Sequence, residues 1–347
     1  MTAIETTTLR PRTSDRPAET ILSVENVHMR FGRREDWIDR LGRRLRGGLP
    51  RPMVHALNGV DLKIRKGEIF GIAGESGCGK STLGRLMVGL GAPTSGTIAF
   101  DGKPVSRRGR PLHLPLQMIF QDSGAALNPR MRVKDLIGEG PMVHGRIRRR
   151  EMNDFVAHQL ELVGMPADAM ERFPHQFSGG QRQRINIARA LALEPRMIVC
   201  DESIAALDVS IQSQILNLFL ELKDKLDLTY VFISHDLGVI RHIADRVAVM
   251  YLGKVVEEGT SADIFERTRH PYTRALLDNL PHIGRRHQIF APVKGEVPSP
   301  LAMPPGCAFH TRCPLVEPSC RQDVPALLGP AAGHRFACPI VEQKRIS

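Results

Sequence analysis

Nine consecutive residues, Gly74-Glu75-Ser76-Gly77-Cys78-Gly79-Lys80-Ser81-Thr82, carry the clearest chemistry in the chain. They fit the spacing G-x(4)-G-K-[ST] of a phosphate-binding loop. The glycines let backbone N–H groups curl around phosphate oxygens, and a helix N-terminus behind the loop favours negative charge. Lys80 is placed to reach β- and γ-phosphates, and the Ser81 hydroxyl to bind Mg²⁺. The pattern has force only between a strand and a helix. Residues 68–73 read as an apolar strand and 82–90 as a helix, which disfavours a glycine-rich structural turn.

Three more segments could do chemistry. Phe177-Ser178-Gly179-Gly180-Gln181 opens an apolar-periodic helix (Ile185, Ile187, Ala188, Leu191). Ser178 suits an N-cap, and two glycines just inside it expose backbone N–H groups. Met197-Ile198-Val199-Cys200 reads as a buried strand ending in Asp201-Glu202. A carboxylate pair there suits one Mg²⁺ ligand and one general base. Val231-Phe232-Ile233-Ser234-His235-Asp236 is another buried strand ending in a histidine. Each segment alone is weak evidence, since many helix starts read S-G-G-Q and a lone histidine is more often structural.

In this order the four segments resemble the ATPase subunit of an ABC transporter, over roughly residues 20–345. The resemblance implies an α/β fold, a P-loop NTPase of the ABC type. It has a parallel-sheet core, an antiparallel β-subdomain and an α-helical subdomain, here with a small cysteine-containing C-terminal module. By the same resemblance, residues Gly74 to Thr82 bind ATP, and Ser81, Gln121 and Asp201 hold Mg²⁺. Glu202 is the general base, the alternative being a second carboxylate that tunes Mg²⁺ electrostatics. Gln121 is the Q-loop glutamine and His235 the switch histidine at the γ-phosphate. Phe31 occupies the place of the aromatic that stacks on adenine, although it also fits a core position. The signature residues Ser178, Gly179, Gly180 and Gln181 complete the site of a partner subunit in a head-to-tail dimer. Asp208 belongs to the D-loop. That loop departs from the family's D-E-P-x-S-A-L-D, because Ser203 replaces the proline and Ala205 the serine.

Further segments narrow the resemblance to oligopeptide/dipeptide importer ATPases, particularly the F-type subunit. They are Arg269-His270-Pro271-Tyr272-Thr273, Ala126-Leu127-Asn128-Pro129-Arg130 and Pro298-Ser299-Pro300. Such importers place two different ATPases under two transmembrane permeases fed by a peptide-binding protein. A heterodimer at the cytoplasmic face of the bacterial inner membrane is therefore expected. An importer of nickel or another small solute remains open. So does a non-transport ABC ATPase, although two cassettes, a long coiled coil or zinc-finger insertions are not seen.

Cys307, Cys313, Cys320 and Cys338 have the spacing C-x5-C-x6-C-x17-C. Structural zinc more often uses a C-x(2–4)-C knuckle, whereas four thiolates in a proline-rich loop also suit a [4Fe–4S] cluster. This subfamily's C-terminal module is associated with such a cluster. Zn²⁺, with His310 or His334 as a substitute ligand, and free thiols or disulfides are the alternatives.

The chain has 347 residues and a formal net charge of +11. No stretch reaches the ~18 uninterrupted apolar residues of a membrane span. Residues 1–20 are polar, lack a signal peptide's apolar core and are expected to form a disordered tail. A cytoplasmic setting is expected, where cysteines are not disulfides by default. Residues 30–51 hold eight arginines against three acids, and residues 146–150 hold four more. No nucleic-acid-binding motif accompanies them, so nucleic acid is not an expected partner. A solvated surface and attraction to a membrane face or permease loops both remain open.

The expected organisation is an ABC ATPase domain over 21–259 and a separate module over 260–347. Strands at 21–31 and 54–64 flank an Arg/Gly-rich insertion containing Trp37. Residues 96–101 form another strand. A helical subdomain spans about 122–178, with breaks at Pro141, Gly164 and Pro174. A long helix is expected at 209–226.

Overall fold

The computed structural model describes residues 19–32, 53–280 and 295–341, apart from 108–109, 113, 122–123, 125, 206 and 331–332. Most of the expected N-terminal tail, and the arginine-rich insertion beyond Gly32 with its Trp37, lie outside the described residues.

Two sheets carry the fold. The first is antiparallel. Its long strands β1 (Thr20–Phe31) and β2 (Val54–Arg65) pair along their length, and β1 also pairs with β4 (Ser95–Phe100), with β5 (Lys103–Pro104) on the edge. A two-residue ribbon, β6 (Ser106–Arg107) with β7 (Arg110–Pro111), follows.

The second sheet has seven strands in the order β13-β12-β11-β3-β10-β9-β8. These are β3 (Ile69–Ala73), β8 (Leu116–Ile119), β9 (Met197–Asp201), β10 (Thr229–Ser234), β11 (Arg246–Tyr251), β12 (Lys254–Thr260) and β13 (Arg335–Phe336). The five from β11 to β8 are parallel, and β12 and β13 join antiparallel. Strands β3, β9, β10 and β11 are buried at every residue. That is why they read as unbroken apolar runs: a parallel sheet is covered on both faces.

Alternation along each strand splits the core in two. Ile69, Ile198, Tyr230 and Val247 face the side packed by α4 (Gly179–Leu191), α5 (Val209–Leu226) and α6 (Leu237–Ile243). Phe70, Val199, Val231 and Ala248 face α1 (Lys80–Met87) and the antiparallel sheet. The helix α1 begins two residues before the expected start and stops three short, with Gly89 at a φ of 77° just past its end.

In the helical subdomain, α2 (Val133–Val143) runs through Pro141 instead of breaking there. Pro141 lies in the last turn, so one ladder bond is lost where the helix is about to end. Gly164, at a φ of 67°, follows α3 (Met152–Leu162), and Pro174 starts a short 3₁₀ turn. The expected helix at 209–226 is α5.

Past β12 the chain packs back onto the sheet. Here α7 (Ser261–Glu266) is capped by Thr260, whose Oγ1 accepts from the Asp263 N–H. His270 caps α8 (Pro271–Asp278), its Nδ1 accepting the Tyr272 N–H at 3.1 Å. Tyr272, Tyr251 and Phe309 pack in tilted and edge-to-face contact, with centroids 4.7–5.3 Å apart. Glu257, fully buried on β12, accepts from the Thr268 hydroxyl (2.9 Å), the Arg269 N–H (2.6 Å) and His334 Nε2 (2.7 Å).

Candidate functional site

Strand register gathers the chemical residues. Ala73 of β3 lies opposite Ser234 of β10, Ile233 opposite Asp201 of β9, and Ile119 of β8 opposite Cys200. The residues that follow these strand ends, Gly74, His235, Glu202 and Gln121, therefore emerge along one edge of the sheet. Side-chain contacts then tie them together. Gln121 Nε2 donates to Glu202 Oε2 at 2.8 Å, and His235 Nδ1 stands 3.0 Å from Glu202 Oε1. Glu202 sits in the left-handed region at a φ of 47°, a conformation that a non-glycine residue adopts only under constraint. Its N–H donates to the Ile233 carbonyl at 2.9 Å, which ties this turn to β10.

The phosphate-binding loop runs from β3 into α1. Gly79 has a φ of 105°, and a Cβ there would lie 2.4 Å from the Ala56 carbonyl oxygen, so only glycine fits. The N-terminus of α1 has no side-chain cap, which leaves its first N–H groups facing the cavity in front of it. Lys80 is buried, and its Nζ donates to the carbonyls of Gly74 (2.8 Å) and Glu75 (2.9 Å). Ser81 Oγ donates to Asp201 Oδ1 at 2.8 Å. Burial raises the Asp201 pKa above the usual carboxylate value and the Glu202 charge adds to this, while the Ser81 bond opposes it. Burial also raises the Cys78 thiol.

A cavity of about 320 Å³ opens at the loop, lined by Phe31, Ser76, Gly77, Gly79 and Lys80 to Thr82, with Gln121, Glu202 and Pro300. An adjoining cavity of about 470 Å³ is lined by Gly74, Glu75, Ser76, Glu202 and His235. Phe31, 46% exposed, lines the first cavity.

Ser178, Gly179, Gly180 and Gln181 line neither cavity. They form a closed capping box, in which Ser178 Oγ accepts the Gln181 N–H at 3.3 Å and Gln181 Oε1 accepts the Ser178 N–H at 3.0 Å. A Cβ on Gly180 would lie 2.6 Å from Ile211 Cγ2, so this glycine also lets α4 approach α5. Asp208 sits at the N-cap of α5 without a side-chain bond to the helix.

Cys307, Cys313, Cys320 and Cys338 line one cavity of about 240 Å³, together with His270, Phe309 and His310. Burial raises the thiols of Cys307 and Cys338, and pushes Cys313 up to about 11. Among the described residues no three His, Cys, Asp or Glu side chains are grouped so as to hold a metal ion. Cys78 and Cys200 are buried elsewhere, in the loop and in β9.

Three residues that line or brace the nucleotide site escaped the sequence reading of it. Tyr272, whose hydroxyl accepts the Glu75 N–H at 2.9 Å, was visible only as part of a family segment. Pro300, in the Pro298-Ser299-Pro300 run, was likewise visible only as part of a family segment. Arg312, paired with Glu75, is one arginine among many beside a cysteine. Each lies more than 190 residues from its partner, Glu75 for Tyr272 and Arg312 and His55 for Pro300, and no local pattern marks the contact.

Comparison with known proteins agrees with this geometry. Residues 57–205 match the family described as ABC transporter, and 256–320 match the oligopeptide/dipeptide transporter C-terminal region. The oligopeptide transport ATP-binding protein AppF of Bacillus subtilis is 47% identical over 82% of this chain and 89% of its own length. The dipeptide transport ATP-binding protein DppF of Haemophilus influenzae is 44% identical over 82% of this chain and 89% of its own. The ATP-binding cassette MJ0796, solved as a post-hydrolysis dimer bound to ADP and Pi, superposes with a TM-score of 0.57 at 25% identity. It covers 69% of this chain and 98% of that one. With the loop, the carboxylate pair, the glutamine and the histidine on one sheet edge and such relatives along most of its length, the chain belongs to the oligopeptide/dipeptide transporter family of ABC transporter ATP-binding proteins.

Proposed function

We propose that this chain is the ATP-hydrolysing subunit that powers import of di- and oligopeptides. It works as a peripheral subunit at the cytoplasmic face of a bacterial inner membrane. The observation that carries the reading is Glu202 held between Gln121 and His235, beside the loop of Lys80 and Ser81. In the same chain, residues 256–320 match the oligopeptide/dipeptide transporter C-terminal region.

Mg²⁺ fits the donor set. Ser81 and Asp201 offer hard oxygen ligands already within 2.8 Å of each other, and the ion held there with Gln121 would neutralise phosphate charge. Lys80 and the N–H groups of α1 bind the phosphates, and Phe31 stacks on the base. Glu202 accepts the proton of the attacking water, and its hydrogen bond to Gln121 fixes its direction. His235 stabilises the γ-phosphate from the other side.

The signature residues Ser178 to Gln181 cap the nucleotide of a second, different ABC ATPase, and that partner's signature caps the nucleotide held here. Two permeases receive the motion, and a peptide-binding protein supplies the cargo. The exposed Arg148, Arg149 and Arg150 suit acidic permease loops or the anionic membrane face.

The cysteine cavity suits a [4Fe–4S] cluster better than Zn²⁺. A single zinc ion needs its ligands drawn to one point, whereas a cubane uses four thiolates spread around a cavity. Cys307, Cys313, Cys320 and Cys338 would hold the cluster as thiolates.

The function is tested by labelled-peptide uptake in cells lacking this chain and in cells complemented with it. Uptake should vanish and return. Normal peptide uptake without the chain would overturn the peptide reading, and lost uptake of another solute would replace it.

A further inference from the structure

We propose that Arg312 is a positioning residue of the nucleotide site, acting from the cysteine-bearing segment to neutralise Glu75 and hold the phosphate-binding loop ready for a triphosphate. The proposal rests on reading residues 74–82 as the ATP site.

Glu75 is the second residue of that loop, beside the glycine whose carbonyl accepts from Lys80. A carboxylate there faces a difficulty of charge, because the loop must receive a nucleotide carrying several negative charges. Left unpaired, Glu75 would repel it. Arg312 removes the difficulty with a two-pronged ion pair. One guanidinium nitrogen donates to Glu75 Oε2 at 2.7 Å and the other to Oε1 at 2.9 Å. The guanidinium is buried, with a side-chain exposure of 4%, and the carboxylate is 24% exposed. Such a fork fixes direction as well as charge. The guanidinium also lies 5.8 Å from the centre of the Tyr251 ring and donates to the Tyr251 hydroxyl at 3.4 Å. These contacts keep the Arg312 pKa above its ordinary value, with the Glu75 bond the largest cause.

The same residue of the loop is gripped a second time from the C-terminal part of the chain. The Glu75 N–H donates to the Tyr272 hydroxyl at 2.9 Å. Meanwhile the Glu75 carbonyl accepts from Lys80 Nζ. Side chain, N–H and carbonyl of one loop residue are all engaged, two of them by residues beyond 260. The C-terminal segment also reaches the opposite end of the site, where the His55 N–H donates to the Pro300 carbonyl at 3.1 Å and Pro300 shares a cavity with Phe31. The segment between Pro300 and Arg312 thus spans the nucleotide site from base end to phosphate end. Because Arg312 precedes Cys313 directly, whatever fixes the cysteine cavity also fixes the grip on Glu75.

The test uses the full-length chain and a fluorescent ATP analogue, with the matching ADP analogue as comparison. Arg312→Gln should weaken ATP binding about tenfold, as expected for losing a charged hydrogen-bonded partner. It should weaken ADP binding less, because the unpaired Glu75 repels the larger phosphate charge more. In the assembled transporter the KM for ATP should rise more than kcat falls. Arg312→Lys, which keeps the charge but not the fork, should fall between. The double variant Glu75→Gln with Arg312→Gln should regain affinity to within about threefold of wild type, since the two sites are coupled. A purely structural arginine would weaken ATP and ADP alike and gain nothing from Glu75→Gln. Unchanged binding in Arg312→Gln, or no recovery in the double variant, would overturn the proposal. Lys80→Ala supplies the control. If wild type and Lys80→Ala bind the analogue equally, the ATP-site reading itself fails, together with the role of Arg312.

Discussion

The nucleotide site and the cysteine cavity are built in opposite ways. At the nucleotide site Gly74, Gln121, Glu202 and His235 follow the ends of parallel strands, and strand register fixes where they emerge. At the cysteine cavity the four thiols sit on loops and short turns. Their positions depend on a few buried polar anchors, such as Glu257 and His270. A sheet edge is set by many hydrogen bonds at once, so losing one side chain should leave its geometry intact. A loop cavity is set by a handful of contacts, so one substitution should deform it.

The largest expected effect follows from the first half of that contrast. Glu202→Gln should lower ATP turnover by about 10²–10⁴-fold, the usual scale for a lost general base. ATP binding and thermal stability should stay near wild type, since the amide can keep bonds to Gln121 and His235. Turnover in the assembled transporter and binding of labelled ATP measure both. A variant that lost ATP binding or melted early would show that this edge is as fragile as the cavity.

At the cavity the expected loss is of a bound group. Anaerobically purified wild type should carry roughly four irons and matching sulfide per chain, as a cubane requires. Cys313→Ser should lose most of both. Stoichiometric zinc without sulfide would reject the cluster.

Much of the first region was legible in sequence because its chemistry sits in short runs. Buried strands read as apolar runs such as Met197 to Cys200, and the functional residue comes next. Order along the chain then supplied the site, including Gln121 just past β8. The reasons behind some residues were less visible. Gly180 looked like a bare helix start, yet it also makes room for Ile211. Pro141 looked like a helix break, but a proline in a last turn costs too little to stop α2. The second region was legible only as composition. Four cysteines and a proline-rich stretch announce a small module. They do not say that β13 completes the main sheet, or that Arg312 and Tyr272 reach the phosphate-binding loop. Those contacts join residues far apart in the chain, and nothing local encodes them.

Glu257→Gln sharpens the comparison from the stability side. The fully buried carboxylate accepts from Thr268, the N–H groups of Arg269 and His270, and His334. An amide can accept at only one of its two terminal positions, so donors would be left unpaired. A loss of about 3 kcal/mol is expected, read as a lower urea midpoint. An unchanged midpoint would mean that the cavity is held by something broader than its anchors.

The smallest effect concerns pH. His270 is buried, and burial pushes its pKa from the ordinary 6.5 down to about 4, against the opposing pull of Glu257. The neutral ring is also required by geometry, because its Nδ1 accepts the Tyr272 N–H at the start of α8. Protonation would turn that acceptor into a donor. The folded state therefore binds this proton less readily than the unfolded chain. The stability linked to His270 is complete above about pH 6.5 and is lost as pH falls through the window toward 4. A shift of that size corresponds to no more than about 3 kcal/mol. His270→Asn, which keeps a capping oxygen without a titrating group, should flatten this part of the pH–stability curve. Wild type and variant should then converge as pH drops, the variant starting lower at neutral pH. Parallel curves from pH 7 to 4 would show that His270 does not titrate there, and that the loop region resists acid as well as the sheet edge does.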